Sequence, residues 1–70
     1  LFHLLDVTPW KKAYFHLKDD AHPWTRSKYF LLYQIISKLL HYNPQRAEAD
    51  SEKITPLTDR ELEILIKKNL

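Results

Sequence analysis

The chain has 70 residues, 44% of them hydrophobic, with a net charge of +2 and neither cysteine nor glycine. At this length it forms one domain at most, near the size below which a single core stops holding a fold, and without cysteine no disulfide or cysteine zinc site can reinforce that core. The lack of glycine also removes phosphate-cradling loops and nucleophile elbows, whose backbone takes up conformations that glycine reaches cheaply.

Pro9, Pro23, Pro44 and Pro56 punctuate the chain, and no Asn-Gly turn occurs between them, so the intervening segments read as helices. The opening LFHLLD is expected to add a short helical segment, with Leu1, Phe2, Leu4 and Leu5 as apolar groups in need of cover. Its start at Leu1 leads us to expect a piece cut from a longer polypeptide.

Thr8 and Pro9 announce the first helix as a hydroxyl N-cap followed by proline at the first helical position. It should run to about Asp19 or Asp20, where DDAHP breaks the pattern, because the residue before a proline avoids the α region. Trp10, Ala13, Tyr14 and Leu17 fall on one stripe. Lys11, Lys12, Lys18 and Phe15 fall off it.

A second helix is expected from about Thr25 or Ser27 to Tyr42, and it is the most apolar of the chain. Leu31, Leu32, Tyr33, Ile35, Ile36, Leu39 and Leu40 cover more than half its circumference, so it should be touched from two sides and form the centre of the fold. Phe30 projects from its polar strip. Asn43 and Pro44 should stop this helix, and residues 43–56, which include QRAEADSEK, form a polar, partly helical connector within the single domain.

The final helix begins with a capping box. Thr58 and Glu61 can each accept the other's backbone N–H, with Leu57 and Leu62 as the hydrophobic staple. Acidic Asp59, Glu61 and Glu63 near its start and Lys67 and Lys68 near its end match the helix dipole. Leu62, Leu65, Ile66 and Leu70 line one face, and Ile64 points the opposite way. The string LTDRELEIL, Leu57 to Leu65, resembles the opening of the LuxR-type helix-turn-helix over these nine residues. The DNA-reading residues such a resemblance implies would fall after Leu70, and no family function is carried over.

Phe15, Phe30 and Ile64 are therefore three off-stripe apolar residues on three helices. They are either covered within the chain, in part by LFHLL, or form an interaction surface for a protein partner or a second copy. The ionisable residues suggest no catalysis. His3, His16, His22 and His41 lack metal-ligand spacing, the Asp19–Asp20 pair beside His22 reads as a solvated helix end, and Ser27, Ser37 and Ser51 lack a base or oxyanion signature. No enzyme activity, metal or cofactor is expected.

Charge divides unevenly along the chain. Up to Tyr42 there are six Lys or Arg against three Asp or Glu, a balance of +3, and from Asn43 on five against six, a balance of −1. The alternative function is accordingly nucleic-acid binding, through a basic patch of Lys11, Lys12, Lys18, Arg26 and Lys28 beside Trp24 and Tyr29. The expected fold is all-α, a small three- to four-helix bundle with a hydrophobic central helix. Its expected role is non-catalytic protein-protein interaction, as a scaffold or assembly part that docks a partner helix or self-associates. No apolar run approaches the roughly 20 residues that span a bilayer, and an intracellular, cytoplasmic or nuclear location is expected.

Overall fold

The computed structural model describes residues 7–19 and 23–69. The expected N-terminal segment with Leu1, Phe2, Leu4 and Leu5 lies outside the described residues, as do His3, Asp20, His22 and Leu70. Every regular element among the described residues is a helix: α1 (Thr8–Lys18), α2 (Pro23–Lys28), α3 (Phe30–Leu39), α4 (Pro44–Ser51) and α5 (Asp59–Asn69). The Cα radius of gyration of 11.2 Å is close to the roughly 11 Å expected for a compact chain of this size.

α1 begins with Thr8 already inside the helix and Val7 in the cap position, one residue earlier than the hydroxyl cap expected there; Pro9 sits in the first turn. The expected stripe of Trp10, Ala13, Tyr14 and Leu17 is buried, and so are Phe15 and His16. At about 100° per residue, these six side chains cover most of the helix circumference, the signature of a helix enclosed by others. α2, α3 and α5 all pack against it.

The single helix expected up to Tyr42 is two. α2 and α3 meet at Tyr29, whose φ of −112° and ψ of 34° leave the helical region. Helix-like hydrogen bonds still reach Tyr29 from both sides, from its N–H to the Thr25 carbonyl (3.0 Å) and from Tyr33 N–H to its carbonyl (2.9 Å). α3 then closes through a Schellman motif: Tyr42 N–H reaches the Ser37 carbonyl (3.1 Å) and His41 N–H the Lys38 carbonyl (3.2 Å). The motif needs a left-handed residue, and in a chain without glycine His41 takes that place at φ 53°.

Half of the polar connector is helix α4, capped by Asn43, whose Oδ1 accepts Arg46 N–H at 2.8 Å. Ala47 anchors it by burial in the core. The Tyr42 hydroxyl donates to Asp50 Oδ2 at 2.8 Å, and Lys11 Nζ approaches the same oxygen at 3.8 Å. Burial first, and then the Asp50 hydrogen bond, hold the Tyr42 phenol well above its ordinary pKa.

Burial thus concentrates on α1 and not on the apolar segment expected to be central. Within α3 only Ile36 is buried, joined by Leu40 just past its end. Tyr14 knits the two helices together, stacking on Tyr33 at 5.4 Å between ring centroids and meeting Tyr42 at 4.7 Å and Phe15 edge-on at 5.2 Å. Leu62 of α5 completes the core from the other side of the chain.

Candidate interaction surface

α3 carries more apolar side chains than one contact can bury. Taking Leu31 as zero on the helical wheel, Ile36 and Leu40 fall near 140° and 180° and face α1, whereas Leu31, Ile35 and Leu39 fall near 0°, 40° and 80°, by about 100° per residue. These last three remain exposed, at 73%, 42% and 37% of their surface. Spaced i, i+4 and i+8, they form one line over two turns, about 12 Å long. Trp24, also exposed, stands seven residues before Leu31 on α2.

The three off-stripe residues, expected either to be covered within the chain or to form an interaction surface, meet different fates. Phe15 is only 6% exposed; it packs edge-on against Tyr14 and 5.8 Å from the Tyr42 ring, and so belongs to the core and not to a surface. Phe30 and Ile64 are exposed. They stand on α3 and α5, helices that both pack on α1 and have no substantial contact with each other. Phe30 flanks the Leu31 line, about 100° around the helix from it. Ile64 edges a shallow groove with Pro9, Leu57, Glu61, Leu65 and Lys68.

The basic residues proposed as an alternative patch are spread over several environments. Lys11 pairs with Asp50, and Lys12 lies close enough to Glu61 to help lower that carboxyl's pKa. Arg26 lies 4.6 Å over the Tyr33 ring and Lys28 5.3 Å over the Tyr29 ring, while Lys18 lines a groove with Phe15, Asp19, Ser51, Ile54 and Pro56. The cations thus face carboxylates or rings of this same chain as much as solvent.

A polar cleft is lined by His16, Asp19, Thr58, Asp59 and Arg60 together with Pro56 and Leu57. Its His16 ring is buried, with Nδ1 against the Leu57 carbonyl and Nε2 3.0 Å from Asp59 Oδ1. The nearby Thr58 hydroxyl accepts Glu61 N–H at 3.2 Å as the helix cap. The cluster binds the start of α5 to α1. Among the described residues no group of three or more His, Cys, Asp or Glu is placed to hold a metal ion, and no helix is long and apolar enough to cross a membrane.

The sequence pattern places Leu31, Ile35 and Leu39 in the centre of the fold, whereas the structure leaves them exposed. The signal was the width of the apolar arc, which one covering element cannot fill. No family model, curated protein or solved structure matches this chain.

Proposed function

We propose that the chain is a non-catalytic protein-protein interaction module that docks a helix on the exposed side of α3. The observation that carries this reading is the line of Leu31, Ile35 and Leu39, left in solvent on the most apolar helix while the more polar α1 is enclosed. A domain this small has little apolar surface to spare, and exposed apolar groups in a continuous line mark binding faces more often than groups scattered singly. Helix-in-groove recognition reads the same i, i+4 spacing. In the complex the partner would cover α3 from its second side, and α3 would become the central hydrophobic helix of the bundle.

The test is selection of helical peptides on the intact protein, followed by binding to Leu31→Glu and Ile35→Glu variants. Peptides with an apolar i, i+4 stripe should be recovered and should lose about tenfold or more in affinity for each variant, the loss expected when one well-packed apolar anchor is replaced. Recovery only of ligands indifferent to both substitutions would overturn the reading.

A further inference from the structure

The apolar line of α3 is set in a stretch of one charge sign. From Pro23 to Ala47 the sequence contains Arg26, Lys28, Lys38 and Arg46 and no aspartate or glutamate. Lys28 and Lys38 are exposed, and each is close to the line in sequence: Lys28 stands three residues before Leu31, and Lys38 three residues after Ile35 and next to Leu39. Among the described residues neither ammonium has a carboxylate within 4 Å; the Lys28 contact is with the Tyr29 ring. The line thus has a cation at each end and no acid of its own stretch to neutralise them.

This pattern bears on the occupant. Two copies of α3 packed face to face would bring lysine against lysine, Lys28 opposite Lys38 when antiparallel and each opposite itself when parallel, and like charges across an interface work against association. An acidic helix meets the same surface with complementary charge. Leu31, Ile35 and Leu39 alone are also a small contact beside the roughly 800 Å² that each partner contributes to a standard interface. Flanking ion pairs would then contribute encounter rate and selectivity that area does not supply.

On the reading that this face docks a helix, we infer that its partner is an acidic amphipathic helix of another protein, with an apolar stripe seated on Leu31, Ile35 and Leu39 and carboxylates reaching Lys28 and Lys38. Aliphatic side chains form the centre of the face, which favours a protein helix over a nucleic-acid strand, whose bases stack on aromatic rings.

The experiment compares two labelled peptides with the same apolar stripe, one flanked by glutamate and one by lysine, by fluorescence anisotropy at low salt. The unsubstituted protein should bind the acidic peptide about tenfold more tightly, and a Lys28→Glu/Lys38→Glu variant should reverse that order. Equal binding of both peptides that still depends on Leu31 would overturn the acidic partner and leave helix docking standing. Binding of neither peptide would overturn both. Displacement of the acidic peptide by single-stranded DNA at comparable phosphate and carboxylate concentration would overturn the inference by showing that charge alone is read. A concentration-dependent dimer in sedimentation, lost on Leu31→Glu, would overturn it in favour of a second copy.

Discussion

His16 and Leu57, 41 residues apart, are joined by a hydrogen bond from the imidazole Nδ1 to the backbone carbonyl. A carbonyl only accepts, so Nδ1 is the donor of this pair. Leu57 N–H in turn donates to the Lys12 carbonyl at 3.3 Å. One residue of the segment entering α5 is thus fastened at both its backbone groups to successive turns of α1.

Replacing His16 with phenylalanine keeps the apolar bulk and removes the donor. The partly buried carbonyl would lose its partner, and the expected cost is about 1–3 kcal/mol in urea unfolding. An unchanged unfolding midpoint would show that the clamp does not hold α5 in place.

The start of α5 should respond to acid. Thr58 N–H donates to Glu61 Oε1 at 3.0 Å and Glu61 N–H to Thr58 Oγ1 at 3.2 Å. The Thr58 backbone N–H first, and then its side chain, hold the Glu61 carboxyl below its ordinary pKa of 4.5. A depressed carboxyl contributes stability above its unfolded pKa and loses it as pH falls through the folded one. Circular dichroism should show this contribution lost as pH falls below about 4.5, and Glu61→Gln should lack that part of the acid response. Thr58→Ala should cost about 0.5–2 kcal/mol at neutral pH, as other lost hydroxyl caps do. Identical acid profiles for the original protein and Glu61→Gln would contradict the capping box.

Alkali should weaken the aromatic core. Burial, followed by the hydrogen bond and charge of Tyr33, pushes the Tyr14 phenol from 10.0 up to about 12. A raised pKa contributes stability below the unfolded value, and this is lost as pH rises from about 10 toward 12. Phenolate absorbance and helical ellipticity should therefore change together over that interval. Ionisation of every tyrosine near pH 10 with the helices intact would contradict the packing of Tyr14 against Tyr33 and Tyr42.

Thr25 on α2 is buried, and its hydroxyl has no hydrogen-bond partner among the described residues. Thr25→Val replaces the hydroxyl with a methyl of similar size, so stability should stay level or rise by about 1 kcal/mol. A loss of more than that amount in thermal unfolding would mean the hydroxyl serves an interaction in solution.

Much of this architecture is legible from local rules. Proline positions and helical periodicity mark the helical class, the Thr58–Glu61 box depends on residues three apart, and the stripe of Trp10, Ala13, Tyr14 and Leu17 follows from spacing. Tertiary burial is less accessible. Phe15 and His16 lie off that stripe and among lysines, and only the aromatic cluster and the Leu57 segment folded across α1 show why they are enclosed. Tyr29 ends α2 without a proline or glycine to announce it. Ala47, a small residue in a polar run, anchors α4 by complete burial in the core, a property of the tertiary packing and not of the run. The exposed line of α3 was masked by its own hydrophobicity, because apolar residues destined for a core and for a partner look alike in sequence.

The exposure of that line is the central claim, and urea unfolding of the Leu31→Glu/Ile35→Glu double variant beside Ile36→Glu tests it most directly. If α3 faces solvent along Leu31 and Ile35, the double variant keeps its helical signal and a stability within about 1 kcal/mol of the original, as surface substitutions do, while Ile36→Glu unfolds the domain by burying an unpaired charge. Unfolding of the double variant to the same extent as Ile36→Glu would place Leu31 and Ile35 in the core and remove the docking face.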